Sequence, residues 1–184
     1  MRLFVALEVP DEVRVPLDAA VAPLRAEHDR LRWTPAEQWH ITLAFIGDVD
    51  VAVHEVAAAL EAAADSAPGR IGLDLAAAGR FGDRVLWVGV TDEPEGAVAD
   101  LGVVTQRSLA AAGLPVDDKP VHPHITLARG RRRDRARVRP TLVEAVSSPP
   151  MSWSVDEMVL VESVRQGGGR PNRYEARARI GFGG

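Results

Sequence analysis

The nine residues WHITLAFIG, 39–47, return almost letter for letter as PHITLARGR, 123–131. The similarity extends upstream, because RLFVALEVPDE, from Arg2, resembles RVLWVGVTDEPE, from Arg84. Arg2 precedes the histidine of its motif by 38 residues and Arg84 precedes the second histidine by 40, so the two halves differ by only two positions. The chain is therefore predicted to be an internal duplication.

Each unit follows the same predicted order of strand, helix, His-Thr strand, helix and strand. The opening runs have strand length and β-branched or aromatic content, and Ala/Val/Leu-rich stretches follow them. In the second unit, Pro94 suits the first turn of a helix and Gly113 suits its C-terminal cap. The predicted helices cover 11–30, 50–65, 94–112 and 134–146, and the predicted strands include 70–78, 152–164 and the stretch NRYEARARI.

The predicted fold class is α+β, with helices outside two mainly antiparallel sheets. The whole chain, 1–184, is expected to form one domain of two intertwined lobes, with repeat units at approximately 2–80 and 84–180. A duplicated unit usually packs about a pseudo-twofold axis. The two motif strands are therefore expected to face each other across a central groove.

Composition excludes several function classes. Hydrophobic residues make up 46% and charged residues 26% of 184, the ordinary balance of a globular protein. The chain has no cysteine, which excludes disulfides, thiolate zinc sites and cysteine nucleophiles. The net charge of −4 argues against broad coating of nucleic acid but is compatible with a local basic site. The apolar run in the opening MRLFVALEVPDE is too short for a signal sequence or a membrane span, so a cytoplasmic location is expected.

The repeated tetrapeptide HITL places chemistry on one face of each strand. Side chains alternate along a strand, so His40 shares a face with Thr42, and His124 shares a face with Thr126. Two imidazoles with ordinary pKa values near ~6.5 can act as base and acid around neutral pH, as phosphodiester cleavage requires. The threonine hydroxyls can donate to phosphoryl oxygens, and the reaction needs no metal or cofactor.

These motifs and their flanks resemble the two-histidine (2H) phosphoesterase superfamily, in particular its RNA 2′,3′-cyclic phosphodiesterases, also called 2′-5′ RNA ligases. The flanks include LRWTPAEQWHITLAFIGDV, GRFGDRVLWVGV, HPHITLARGR and LVESVRQGGGRPNRYE. The resemblance implies a bilobal fold with both HxTx motifs in its groove, and hydrolysis of a 2′,3′-cyclic phosphate at an RNA end to a 2′-phosphomonoester. It assigns His40 as the proton donor and His124 as the proton acceptor, and it implies that the reverse, ligating step is available.

The residue five positions after each histidine differs between the copies: Phe45 in the first and Arg129 in the second. Phe45 offers a stacking face, and the family places an arginine near the phosphate at the second motif, so Arg129 is a candidate phosphate clamp. An odd offset puts Arg129 on the strand face opposite to His124. The assignment therefore requires that the strand end or bulge near Ala128.

Other features are weighed without a site assignment. Seven arginines between 129 and 139 could steer RNA ends or form a solvated loop, and the pair His122 and His124 is a weak metal motif.

Two rival functions stay open: a sister specificity for another cyclic or 2′-5′ phosphodiester, and a module that binds RNA without turnover. A duplicated chain carries both motifs itself, so a monomer is expected. The candidates to stack on a base are Trp33, Trp39, Phe45, Phe81 and Tyr174.

Overall fold

A computed structural model of the chain describes residues 1–131, 135–168 and 171–183. Residues 132–134, in the arginine-rich stretch, and 169–170, in the glycine run, lie outside the described residues. Nine strands and four α-helices are found in the described part: β1 Arg2–Glu8, α1 Asp11–Glu27, β2 Arg32–Trp33, β3 His40–Asp48, α2 Val53–Ala64, β4 Ile71–Phe81, β5 Val85–Glu93, α3 Ala97–Ala111, β6 His124–Arg129, α4 Pro140–Ala145, β7 Ser152–Val155, β8 Glu157–Val164 and β9 Arg173–Gly181.

The strands form one sheet in the order β7-β4-β5-β6-β3-β1-β8-β9, with the two-residue strand β2 added to β6. Its ladders are antiparallel, as the sequence predicts. The two sheets expected from the sequence are joined, because β3 pairs with β6 at the centre through Ile41 and Ile125. The result is a curled antiparallel sheet within an α+β fold.

Each half of the sheet contains strands from both halves of the chain. The first half-sheet comprises β3, β1, β8 and β9, and the second comprises β6, β5, β4 and β7. Strand β4 follows β3 and α2 along the chain, yet it pairs with β5 and β7. Strand β8 follows β6 and α4, yet it pairs with β1. The motif strands β3 and β6 occupy equivalent central positions.

Helices cover the sheet face that bears the aliphatic residues of the motifs. In α1, the buried residues Val13, Leu17, Val21 and Leu24 recur every three or four positions, the spacing of one helix face. Helix α3 packs on β3, and the two elements share one core cluster. Ile41 and Ile125 are completely buried in this core, which leaves the opposite face of the motif strands for polar side chains.

Several element boundaries differ from those predicted. Helix α3 begins at Ala97, so Pro94 precedes the helix instead of standing in its first turn, whereas Gly113 follows the helix with φ +78°. Helix α4 is shorter than predicted because it begins at Pro140, where the proline fits the first position. The strand predicted over 152–164 is two strands separated at Asp156. In the described residues, no helix combines the length and apolar character needed to cross a membrane.

Candidate active site

The pairing of β3 with β6 brings the two motifs together on one face of the sheet. Ile41 lies opposite Ile125, and in an antiparallel ladder this register puts His40 across from Thr126 and Thr42 across from His124. All four polar side chains are half-buried, whereas the isoleucines between them are fully buried. The structure thus brings together the four residues singled out by the repeated tetrapeptide.

Both imidazoles are held by the same local hydrogen bond. Nδ1 of His40 lies 2.7 Å from the backbone oxygen of Gln38, and Nδ1 of His124 lies 2.6 Å from that of His122. A carbonyl oxygen can only accept, so Nδ1 of each ring carries the proton and donates it. In the neutral rings, Nε2 therefore has the free lone pair. Each histidine is fixed in the tautomer that can take up a proton at Nε2.

The environment of the groove favours the neutral form of both rings. Burial lowers the pKa of His40 to about 4, although its hydrogen bond to Gln38 opposes this effect, and the charges of His124 and Arg129 lower it further. Burial also lowers the pKa of His124, although its hydrogen bond to the backbone of His122 opposes this effect, and the charges of His122 and Arg129 lower it further. At neutral pH, the free protein therefore holds two neutral imidazoles beside an arginine.

A β-bulge in β6 brings Arg129 to the face of the histidines. Trp87 of β5 lies opposite Thr126, but the next residue, Leu86, lies opposite Ala128, so Leu127 is an extra residue on β6. Leu127 and Ala128 are both fully buried, which breaks the alternation of faces. The bulge near Ala128 that Arg129 needs to reach the phosphate is therefore present, and Arg129 points to the same side as His124.

Strand β3 has a bulge at the equivalent position. Ala6 of β1 lies opposite Thr42, and Val5 lies opposite Ala44, so Leu43 is the extra residue. The shift turns Phe45 toward the groove face, where about half of its side chain is exposed (49%). Phe45 and Arg129 thus hold corresponding positions, five residues after each motif histidine.

The backbone oxygens of the two bulge residues both have hydrogen-bond partners. The carbonyl oxygen of Leu43 accepts from Nε2 of Gln106, a buried side chain of α3, at 3.1 Å. The carbonyl oxygen of Leu127 accepts from the backbone N–H of Thr34 at 2.8 Å. A bulge residue without such a partner would leave a buried carbonyl unpaired. Gln106 and Thr34 therefore stabilise the bulges, and sequence reasoning missed both.

Aromatic rings surround the first histidine. The ring centroid of Phe4 lies 4.9 Å from that of His40, and Tyr174 of β9 meets His40 edge-on at 5.6 Å. Phe45 lies 6.1 Å from Phe4 at the rim of this cluster. Beside His40 is an open cavity of about 480 Å³, whose lining includes Phe4, Tyr174 and Ala176. Phe4 was not a sequence candidate, because an apolar residue in an opening strand is typical of core.

A different aromatic cluster surrounds the second histidine. Phe81 meets His124 edge-on at 4.9 Å, and Trp87 lies 6.0 Å from His124. His122 packs on Trp87 with a centroid separation of 5.0 Å. In the part of the chain that the structure describes, no group of three or more metal-binding side chains is arranged to hold an ion.

Two of the proposed stacking residues lie away from the groove face. The indole N–H of Trp33 donates to the backbone oxygen of His28, and that of Trp39 donates to the oxygen of Thr34. Trp39 is almost completely buried. Both indoles therefore fix the segment that leads into β3. Phe45, Phe81 and Tyr174 remain as the exposed aromatic candidates.

A curled, duplicated antiparallel sheet with paired His-x-Thr motifs at its centre defines a two-histidine phosphoesterase. Residues 9–167 match the model of the 2′-5′ RNA ligase superfamily, and the chain belongs to this superfamily.

Relatives and solved structures agree with this assignment. The chain is 34% identical over 170 residues to an RNA 2′,3′-cyclic phosphodiesterase of Escherichia coli (strain K12), covering 88% of this chain and 86% of that protein. It is 35% identical over 136 residues to one of Geobacillus stearothermophilus, covering 70% of this chain but only 41% of that protein. E. coli LigT complexed with 3′-AMP superposes with a TM-score of 0.71 at 28% identity, covering 98% and 97% of the two chains.

Proposed function

We propose that this protein is an RNA 2′,3′-cyclic phosphodiesterase that converts a terminal 2′,3′-cyclic phosphate to a 2′-phosphomonoester. The observation that carries the proposal is the register of β3 against β6, which sets two imidazoles and two hydroxyls on one groove face. Both imidazoles have Nε2 free for proton transfer. The names of the E. coli and G. stearothermophilus relatives support the same substrate.

In the proposed reaction, Nε2 of His124 accepts a proton from the attacking water as the new oxygen–phosphorus bond forms. The bond from phosphorus to the 3′ oxygen breaks, and Nε2 of His40 donates a proton to that oxygen. The two motifs are geometrically alike, so the assignment of donor and acceptor rests on the family resemblance. His40 has a pKa of about 4 in the free protein, and the negative charge of a bound phosphodiester raises it toward the value that a general acid needs.

The remaining groove residues are proposed to bind the phosphate and the base. The hydroxyls of Thr42 and Thr126 donate to non-bridging oxygens, where negative charge increases in the transition state. The guanidinium of Arg129 supplies a charge-assisted contact to the same phosphate. Phe45, half-exposed on the same face, supplies a surface on which the terminal base stacks.

The proposed enzyme acts as a monomer in the cytoplasm on RNA ends or nucleotides with a 2′,3′-cyclic phosphate, without a metal or cofactor. Mixing His40→Ala with His124→Ala tests whether each chain holds a complete active site, because a site shared between two chains would regain activity in the mixture. A monomer with both motifs in one chain regains none.

The function is tested with an RNA oligonucleotide that ends in a 2′,3′-cyclic phosphate, incubated with EDTA and followed by phosphorus NMR. We expect the cyclic signal to be replaced by that of a 2′-phosphomonoester, and the conversion to disappear in His40→Ala and in His124→Ala. A 3′-phosphomonoester would contradict the assigned leaving oxygen. Tight binding of the unchanged cyclic end over hours would instead favour a non-catalytic binding module, and turnover of only other cyclic or 2′-5′ substrates would favour a sister specificity.

A further inference from the structure

A second arginine stands directly beside Arg129. Strand β2 pairs with β6 where β3 no longer does, and in this ladder Arg32 lies opposite Arg129. Residues directly opposite each other in an antiparallel ladder have their side chains on the same face. Because the bulge at Leu127 turns Arg129 to the groove face, Arg32 is on the groove face too.

Arg32 and Arg129 lie opposite each other, and no carboxylate among the described residues forms an ion pair with either of them. Within residues 1–131, 135–168 and 171–183, the ion pairs of the structure include neither Arg32 nor Arg129. Burial lowers the pKa of Arg129, and the nearby charge of Arg32 lowers it further. Like charges directly opposite each other destabilise a ladder. Two adjacent arginines suit a surface that binds an anion, because guanidinium groups bind phosphate through charge-assisted hydrogen bonds.

The charges follow an order along the groove. Arg129 influences both His40 and His124, so it lies within reach of a phosphate held between them. The register of β3 and β2 against β6 places Arg32 and Arg129 past the row of His40 and Thr126, toward the end of the groove. Arg32 is exposed there, on the strand next to Arg129 and beyond both histidines.

From this order, we infer that Arg32 binds a second phosphate of the substrate, the phosphodiester linking the terminal nucleotide to the one before it. The inference rests on the proposed function and narrows its substrate class. An oligonucleotide has this second phosphate, whereas a nucleoside 2′,3′-cyclic phosphate has only the reacting one. Arg32 thus selects RNA ends over free cyclic nucleotides.

The test compares two substrates with the same terminal base, the trinucleotide ApApA with a 2′,3′-cyclic phosphate end and adenosine 2′,3′-cyclic phosphate. We expect Arg32→Gln to lower kcat/KM for the trinucleotide about tenfold, as expected for loss of a charged hydrogen bond. The mononucleotide should change less than about twofold, because it has no second phosphate for Arg32 to bind. The slope of log kcat/KM against log salt concentration for the trinucleotide should become shallower by about 0.7. This is the value for loss of one phosphate contact on a single strand. Arg30→Gln, an equal charge change at an exposed residue two positions earlier, should alter neither substrate.

A neutral methylphosphonate in place of the second phosphodiester gives an independent readout. The wild-type protein should lose activity on this trinucleotide, whereas Arg32→Gln should be insensitive to the replacement, and Arg32→Lys should recover part of the preference. Equal losses on both substrates, or no loss on either, would overturn the inference. If the wild-type protein turned over neither cyclic substrate, the proposed function itself would fail, which is a different result.

Discussion

Ile41 lies directly opposite Ile125 in the ladder that joins the two halves of the sheet. Both side chains are fully buried, so neither strand can slip by one residue without turning isoleucine to the groove and histidine to the core. The core thus fixes the geometry of the site: burial of two aliphatic residues determines where two imidazoles and two hydroxyls stand.

Removing either imidazole should abolish most of the activity. We expect His40→Asn and His124→Asn each to lower kcat on a cyclic-phosphate RNA by about 10²–10⁴-fold, the usual contribution of one general acid or base. Thr42→Val and Thr126→Val should cause smaller losses, because each removes one neutral donor from the phosphate. Steady-state kinetics checks this prediction. His54→Asn, at an exposed position of α2, is the control and should stay active. Normal activity in His40→Asn would exclude the two-imidazole mechanism.

The pH dependence follows from the direction of the two pKa shifts. His124 must be neutral to accept a proton, so kcat/KM falls at low pH. His40 must be protonated to donate one, so kcat/KM also falls at high pH. The pKa of each histidine is below its usual 6.5 in the free protein, and a bell-shaped profile is centred between its two pKa values. We therefore expect kcat/KM to peak below pH 6.5.

Bound phosphodiester should move the profile of kcat in the alkaline direction, because its negative charge raises both pKa values. Rates measured from pH 4 to 9 at constant ionic strength give both profiles. A kcat/KM maximum above pH 7 would contradict burial as the main influence on the free imidazoles.

The sequence predicted which motif side chains share a strand face better than it predicted the path of the backbone around them. That His40 shares a face with Thr42, and His124 with Thr126, could be predicted because period-two alternation is a local property. The sequence did not predict that the two expected sheets join, or that β4 and β8 each pair with strands of the other half of the chain. Both features depend on pairing between segments that are distant in the sequence. The same is true of the bulge at Leu43, since its carbonyl partner comes from a residue 63 positions away.

Gly79 should be intolerant of any side chain because Trp87 lies across it. A Cβ at Gly79 would come within 2.1 Å of the indole ring, which packs against His122 and Phe81. We expect Gly79→Ala to lower stability by about 1–3 kcal/mol through overpacking and to lower activity by displacing the rings beside His124. Thermal unfolding and kinetics measure the two effects.

Gly72→Ala is the matched control on the same strand, since its Cβ would meet Glu93 at an ordinary 3.6 Å. Combining Gly79→Ala with Trp87→Phe makes room for the methyl group, so the double variant should be less destabilised than the sum of the single variants. Equal stability of Gly79→Ala and Gly72→Ala would show that Trp87 moves away at little cost.

Removing the polar atoms of two neighbouring residues of α3 should change the stability of the protein in opposite directions. Gln106 donates to the carbonyl oxygens of Leu43 and Lys119, so Gln106→Leu leaves the buried carbonyl oxygen of Leu43 unpaired and should cost about 1–3 kcal/mol. The hydroxyl of Thr105 is buried and has no hydrogen-bond partner among the described residues, so Thr105→Val should keep or raise stability. Urea unfolding of both variants measures the difference.

Measuring the activity of Gln106→Leu shows whether the bulge at Leu43 has a specific role in substrate binding, apart from its effect on stability. Gln106 donates a hydrogen bond to the carbonyl oxygen of Leu43, the bulge residue that turns Phe45 to the groove face. Base stacking contributes equally to binding of the substrate and of the transition state, so its loss raises KM more than it lowers kcat. If the bulge positions Phe45 for stacking, Gln106→Leu should show this pattern when it is assayed well below its melting temperature. Phe45→Ala should show the same split. Unchanged KM in both variants would remove Phe45 from the binding site.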